Sequence, residues 1–385
     1  MKKMKQKTRL NAILVLCLIT LTSGMVFSQK TGDVSHVTTI DILPKPSIFK
    51  QVWQPYLAMW EDNHYVVSYG LKLDGRADMG DIVCSISKDG GKKWTAPVMI
   101  FDHRLHNGTQ RYAYANGVLF RPEGEDIIWC FAMRCPLSYT DSEDAKLCAA
   151  YSCDGGYSWI QVELWMMSHS PLITNAGVVT VMEEGIPKYL LPVHRNTIRH
   201  DPVGGDREQF VLESTNLLNW KIRSFIPRPD DVWIHEGNIA EGDHPGELKM
   251  VMRTAKYHER KEALDSRRAY SSVSSDNGKT WSEAVEEPAL YNTAAKGFFG
   301  KDSKGRHIYV YNDGDRSVRE GLYYVTKEPG KDWSKPKLFY WDNNHNSYAT
   351  LIEKEPGVFL CVWDSSDDPD VKRSVVRFGI LDIND

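Results

Sequence analysis

Two arginines stand where a side chain could reach a ligand. Arg253, in Met252-Arg253-Thr254, ends the apolar run 248–252, and Arg319, in Ser317-Val318-Arg319-Glu320-Gly321-Leu322, leads into the run 322–325. A planar guanidinium meets a carboxylate with two parallel hydrogen bonds, so such residues suit an acidic ligand; a surface ion pair is the plainer alternative. Three histidines, His106, His194 and His235, sit beside polar or aromatic residues, as in His194-Arg195-Asn196 and Trp233-Ile234-His235-Glu236. A histidine with a tyrosine can abstract the proton α to a uronic carboxylate while arginine neutralises the developing enolate. A lone histidine is more often a satisfied structural residue. Tyr348, in Asn346-Ser347-Tyr348-Ala349-Thr350-Leu351, and Asp78, in Gly75-Arg76-Ala77-Asp78-Met79-Gly80-Asp81, add a phenol and a carboxylate. A core aromatic and a solvated loop are the plainer readings of these two.

What must position these residues is a repeat. Ser87-Lys88-Asp89-Gly90-Gly91-Lys92-Lys93-Trp94 recurs as Ser152-Cys153-Asp154-Gly155-Gly156-Tyr157-Ser158-Trp159 and as Ser274-Ser275-Asp276-Asn277-Gly278-Lys279-Thr280-Trp281. A degenerate copy spans 326–333 and a shortened one spans 214–220. Ser and Asp can cap local N–H groups, Gly takes a positive φ, and Trp anchors the hairpin beneath. The anchoring tryptophans, Trp94, Trp159, Trp220, Trp281 and Trp333, are spaced by about 60 residues, room for a four-stranded sheet with its loops. Radial stacking of such sheets protects their edges. The expected fold is therefore all-β: a six-bladed β-propeller with four-stranded antiparallel blades. The sixth blade joins the region after Tyr340 to a strand from the N-terminal segment.

This turn is the Asp box, and the mature chain resembles the sialidase-like (BNR-repeat) six-bladed propellers. The resemblance implies a carbohydrate-active site in which Tyr348 is the nucleophile, Glu236 its partner and Asp78 the acid/base, with Asp81 and Asp74 as rivals for that last role. It implies that Arg253 and Arg319 are two of three carboxylate clamps. The family's first arginine lies in a Phe-Arg-Ile-Pro motif of the opening blade. Here the equivalent stretch is Val52-Trp53-Gln54-Pro55-Tyr56-Leu57, with Gln54 where the arginine belongs. A neutral amide cannot balance a carboxylate. Arg76, Arg134 and Arg195 are candidates to replace the charge, and His194 and Arg195 to contact substrate. Related propellers include polysaccharide lyases, in which His235 or His194 would act with a tyrosine.

The termini and composition set the remaining bounds. Lys2, Lys3, Lys5, Lys7 and Arg9 precede a short apolar run at 12–20, and Phe27-Ser28-Gln29 fits a cleavage point. Residues 1–28 thus read as a signal peptide and 29–385 as a single propeller domain, secreted or periplasmic. Cys17 could instead carry a lipid, but Leu18 and Ile19 continue the apolar stretch past it. No later run is long enough to span a bilayer. With a net charge of −4 there is no basic field to gather nucleic acid. The 12 Trp and 18 Tyr suit sheet packing and sugar-stacking platforms. Six cysteines follow the signal, Cys84, Cys130, Cys135, Cys148, Cys153 and Cys361, and they read as buried free thiols or one local bridge. No Cys-x-x-Cys pair is present, so no metal or cofactor is expected. The expected partner is an acidic oligosaccharide and the expected state a monomer. Three functions fit these residues. The first is an exo-glycosidase of the sialidase type that removes a ulosonic or uronic acid. The second is a lyase or dehydratase acting by β-elimination on uronate-containing oligosaccharides, such as those of the algal polysaccharide ulvan. The third is a non-catalytic glycan-binding propeller.

Overall fold

The computed structural model describes residues 32–384 apart from 43–46, 74–78, 105, 108–109, 137–144, 167–172, 175, 197–206, 231, 257–267, 293–294, 314–318 and 369. Among the described residues every regular element is a strand. The chain runs as successive antiparallel meanders. The first comprises Phe49–Glu61, His64–Leu73, Gly80–Ser87 and Val98–Phe101. The second is Gln110–Phe120, Ile128–Pro136, Lys146–Ser152 and Ile160–Val162. A single bridge between Gly80 and Tyr114 merges these two and the short strand His106–Asn107, paired to Gln110–Phe120, into one nine-stranded sheet. The third is Val179–Glu183, Ile186–Asn196, Arg207–Ser214 and Asn219–Phe225, extended by short strands at Trp165–Met166 and Ile173–Thr174. The fourth is Val232–Glu241, Leu248–Lys256, Arg268–Ser274 and Val285–Tyr291. The fifth is Phe298–Lys301, His307–Asp313, Gly321–Lys327 and Lys337–Tyr340. The last is Asn346–Glu355, Val358–Ser365 and Val375–Asp382, and its fourth strand is the N-terminal Ser35–Ile42.

Packing makes this series a β-propeller. Strands such as Gly80–Ser87 and Val232–Glu241 are buried on both faces, successive side chains entering opposite seams, and each hydrophobic cluster draws on two consecutive meanders. Val66, Ile82 and Cys84 of the first pack with Val118, Leu119 and Cys130 of the second. Phe131 and Leu147 meet Leu191 and Phe210, and Val211 and Leu190 meet Ile234 and Met250. Val251 and Ala269 meet Tyr309 and Val325, and Ile308 and Leu322 meet Leu351 and Trp363. The cycle closes where Leu360, Val362 and Phe378 pack on Val52, Leu57 and Tyr65. At roughly 25 cal/mol per Å² of apolar surface removed from water, these seams are the main stabilising term.

The Asp boxes join one meander to the next. In the first copy the Ser87 hydroxyl accepts from the Gly91 N–H at 2.9 Å, and Asp89 Oδ1 accepts from the Lys92 and Lys93 N–H groups at 3.0 and 2.9 Å. The copies ending at Trp159 and Trp281 repeat these bonds. The short copy keeps them with Asn216 in place of Asp and with Leu217, at φ 62°, in place of glycine. The tryptophan also reaches beyond its own hairpin. Thr38 donates to the Gly91 carbonyl at 2.7 Å and accepts from Trp94 Nε1 at 3.3 Å. Cys84 takes the same place against Gly156 and Trp159, and Ser224 against Gly278 and Trp281. Thr38, Cys84 and Ser224 each lie on the preceding meander, so the box is a staple between neighbours as well as a turn.

The cysteines agree with the free-thiol reading with one exception. Cys84, Cys130, Cys135, Cys148 and Cys361 are buried and unbridged, but Cys153 is exposed on its Asp-box turn. It occupies the variable position between the capping Ser and Asp, whose side chain points outward. Burial pushes the Cys84 thiol up to about 12, which keeps it a neutral partner of Trp159.

Slight burial opposes ionisation of Asp276, yet bonds from Thr280 and Ser274 hold its carboxyl down at about 2. Because Asn216 performs the same capping, Asp276→Asn should be tolerated within about 0.5 kcal/mol, whereas Asp276→Ala should cost about 1 kcal/mol, as loss of a cap does. Urea-unfolding midpoints of the two variants check this.

Candidate active site

The innermost strands share one irregularity. Ladder pairing skips two residues after Trp53, after Ala115, after His235 and after Ser347. The residue that follows each of these is left-handed: Gln54 at φ 46°, Asn116 at 57°, Glu236 at 53° and Tyr348 at 53°. A side chain in that region costs about 1–3 kcal/mol, and a bulge re-aims the residue it carries. The next residue is small or cyclic: Pro55, Gly117, Gly237 and Ala349. At Gly237 a Cβ would stand 2.7 Å from Met250 Sδ, and at Gly117 2.6 Å from Ile82 Cγ2, so the packing leaves room only for glycine there. In the fifth meander Lys296-Gly297 holds the corresponding place ahead of Phe298.

Two of these bulged residues, Glu236 and Tyr348, meet arginines. Arg253, paired opposite His235, donates from NH1 to Glu236 Oε2 at 2.9 Å. Its guanidinium is also within hydrogen-bonding reach of Tyr348. The guanidinium carbons of Arg319 and Arg373 stand 5.2 and 5.1 Å from the centre of the Tyr348 ring. Arg207 NH1 donates to His235 Nε2 at 2.6 Å, and the His235 ring lies 5.5 Å from that of His194. Lys296 Nζ donates to the Tyr56 hydroxyl at 2.8 Å, both residues being buried. Asp364, wholly buried, accepts from the Gln54 N–H at 3.1 Å and from the Ser347 hydroxyl, with Arg373 Nε at 3.5 Å. A cavity of about 690 Å³ continues along the strands beyond this cluster, walled by residues that follow the bulges, among them 57–59, 239–241 and 351–353.

Charge decides the protonation states. Burial alone would raise the Glu236 carboxyl, but Arg253, with smaller help from His194 and Arg207, outweighs it and holds the group below its ordinary value. Burial also raises Asp364, and there Arg373 only partly offsets it. Burial brings the Lys296 ammonium down to about 8, with Glu236 and Asp364 holding it from falling further. Burial, followed by Glu236, lifts the Tyr56 phenol well above its usual range, so it stays neutral. Burial brings His194 down to about 3, and His235 falls well below its ordinary value, through burial and then Arg207 and Arg253.

The sequence expectations meet this geometry unevenly. Tyr348, Glu236, Arg253, Arg319, Gln54, His194 and His235 come together. Glu236 is hydrogen-bonded to Arg253, which stands between it and Tyr348. Asp78, with Asp74 and Arg76, lies outside the described residues, as does the His106 side chain. Asp81 is buried and accepts the His103 N–H and ring nitrogen, both at 2.6 Å, so it is committed to its own loop. It is also the centre of the single three-ligand grouping among the described residues, with Asp102 and His103. Asp102 is bonded to Arg104, so the protein's own donors already satisfy the set. Arg195 is drawn away to Glu208 at 2.8 Å and over Phe225 at 5.3 Å. Arg134 turns toward Glu163 at 3.7 Å and over Tyr112 at 5.0 Å. His235 is not placed as a base: a guanidinium only donates, so Nε2 accepts, the proton sits on Nδ1, and that atom has no partner among the described residues. Sequence reasoning missed Arg207, Lys296, Tyr56, Asp364 and Arg373. Lys296 was reachable, because it stands 60 residues after Glu236 and 52 before Tyr348 in the same strand context.

Residues 63–361 match the family described as BNR repeat-like domain. The chain belongs to that family. No curated relative matches it. Similar solved structures include a protein of unknown function from Dyadobacter fermentans, 14% identical over 90% of this chain and 99% of its own, with a TM-score of 0.63. The Hadza microbial sialidase Hz136 is 18% identical over 87% of this chain and 66% of its own, TM-score 0.65. The sialidase NanB of Streptococcus pneumoniae is 13% identical over 90% and 70%, TM-score 0.64. At these identities the likeness establishes the sialidase-like propeller fold.

The buried histidines have a consequence for stability. Their folded-state values lie below the ordinary 6.5, so in the acid range the unfolded chain binds protons that the folded one does not. The stability present above that value is lost as the pH falls, by up to about 1.4 kcal/mol per pH unit for each such histidine. Urea unfolding at pH 7 and pH 5.5 should show this loss, and His194→Gln should shrink the difference.

Proposed function

We propose that the protein is a secreted carbohydrate-active enzyme that removes an acidic sugar, a ulosonic or uronic acid, from the non-reducing end of an oligosaccharide by hydrolysis. The six meanders are read as the six blades of one ring, with residues 1–28 as the export signal. One observation carries the reading. Tyr348 is held in a left-handed bulge with Arg253 at its hydroxyl and Arg319 and Arg373 over its ring. A core tyrosine needs neither the strained backbone nor three cations, whereas a nucleophile working beside a substrate carboxylate benefits from both.

In this scheme Arg319 and its neighbours bind the substrate carboxylate and Tyr348 Oη faces the anomeric carbon. Attack forms the Tyr–carbon bond and breaks the glycosidic carbon–oxygen bond. Asp78 protonates the departing oxygen. Water activated by the same carboxyl then displaces the tyrosine, which takes back from Glu236 the phenolic proton that passed there during attack. A neutral phenol suits this role because a carboxylate nucleophile would be repelled by the substrate's own anion. Glu236 holds Arg253 against the tyrosine and balances its charge. The Arg207-bound state of His235, and the burial that brings His194 down to about 3 and makes it a weak base, support hydrolysis over β-elimination, which would need one of the two rings as a base.

Incubation with a panel of acidic oligosaccharides, read by mass spectrometry, tests the reaction class. The expected result is loss of one acidic sugar with one water added. A fragment pair without added water, absorbing in the ultraviolet as an unsaturated uronate does, would establish elimination instead. Binding without product over a long incubation would establish a lectin. Tyr348→Phe should abolish turnover with an unchanged melting temperature, and a fully active variant would overturn the nucleophile assignment.

A further inference from the structure

The acidic-sugar reading leaves a deficit at Gln54, whose amide stands where a guanidinium is expected. Arg134 and Arg195 do not fill it, being turned to Glu163 and Glu208. Arg373, on the loop between Val358–Ser365 and Val375–Asp382, comes from the neighbouring meander to the same spot. Its carbonyl accepts from the Val52 N–H at 2.9 Å, two residues before Gln54. Its Nε lies 3.5 Å from Asp364, the carboxylate that also receives the Gln54 N–H. Its guanidinium carbon lies 5.9 Å from the Trp53 ring and 5.1 Å from the Tyr348 ring. Arg319 is the counterpart on the other side. Its carbonyl accepts from the Asn346 N–H at 2.6 Å, two residues before Tyr348, and its guanidinium carbon lies 5.2 Å from the same ring.

We infer that Arg373 supplies the positive charge absent from Gln54, so that a ligand carboxylate is held between Arg319 and Arg373 beside Tyr348. Both backbones are pinned by a hydrogen bond to the strand they face, and both guanidiniums face one phenol from adjacent loops. Asp364 orients Arg373 and, by accepting the Gln54 N–H, holds the bulge against it. The planar fork of arginine matches two carboxylate oxygens, which an ammonium does not. The charge is thereby carried by the blade that closes the ring instead of by the opening one.

The inference rests on the acidic-sugar reading, and the test separates the two. Calorimetric titrations with N-acetylneuraminate and glucuronate, and with glucose as the neutral probe, are run on the full chain. Arg373→Gln should weaken binding of the acidic probe about 10- to 100-fold and leave any neutral binding unchanged, with a lowered melting temperature because Asp364 loses its counter-charge. Introducing Gln54→Arg into that variant should restore acidic binding. If Arg373→Gln does not fold, Arg373→Lys keeps the counter-charge of Asp364 and should still bind the acidic probe more weakly than wild type. Wild-type affinity in the Arg373 variants, equal loss of neutral and acidic binding, or no recovery with Gln54→Arg would each overturn the inference while leaving the acidic-sugar reading standing. A wild-type protein that binds neither acidic sugar would overturn both.

Discussion

The site depends on a backbone constraint repeated around the axis: a non-glycine residue held at positive φ in the innermost strand. Gln54, Asn116, Glu236 and Tyr348 all pay this strain, and each is followed by a residue with little or no freedom to clash. The bulge removes two residues from the ladder and turns one side chain out of the strand's alternation. Ordinary pleating would send that side chain into a seam between sheets. At Glu236 and Tyr348 the left-handed residue instead meets arginines of neighbouring strands and loops. Such conformations persist only where the surrounding packing over-determines them, and the apolar seams on both sides of every inner strand do so here.

Around that constraint the charges are arranged in linked pairs. Glu236 is tied to Arg253, and Asp364 to Arg373. Each carboxylate also takes part in orienting a bulge, Glu236 from its own position and Asp364 by receiving the Gln54 N–H. Burying ions is costly unless they are paired and hydrogen-bonded, so these pairings fix geometry more than they add stability. Lys296 and Tyr56 form a third, weaker link between the fifth and first meanders. Preorganised donors of this kind need no reorganisation when a charged ligand arrives.

Much of the fold was legible because its signals are local. The Asp box is a turn whose bonds lie within eight residues, and its spacing reports the length of a meander. Even the shortened copy at 214–220 folds as the full ones do, since Asn216 can cap as Asp does. The inter-sheet role of the tryptophans was not legible, because Thr38, Cys84 and Ser224 have no motif in common. Of the site, Arg253, Glu236 and Tyr348 sit in strands flanking the boxes and could be placed by context. Arg373 could not, for it enters from a loop whose backbone is pinned to another meander at Val52; Arg207 could not, because although it opens the strand Arg207–Ser214, the His235 ring it meets belongs to the next meander. Arg195 shows the converse: its neighbours His194 and Asn196 read as a site, yet Glu208 across the ladder claims its guanidinium.

The last meander has a consequence for how the molecule comes into being. Its outer strand is Ser35–Ile42 and its inner ones lie beyond residue 345, with Thr38 paired to Phe378. During synthesis the earliest strand must wait, unpaired, until nearly the whole polypeptide has emerged. Five meanders can assemble from neighbours in sequence, but the circle shuts only when the two ends of the chain find each other. Shutting it pairs Thr38 with Phe378, a contact between distant parts of the chain of the kind that forms slowly. Until then one sheet edge on each side of the gap is open to other chains. A chain cut short before Val375 therefore forfeits the closure itself, and with it the seam that joins the Arg373 loop to the Gln54 strand.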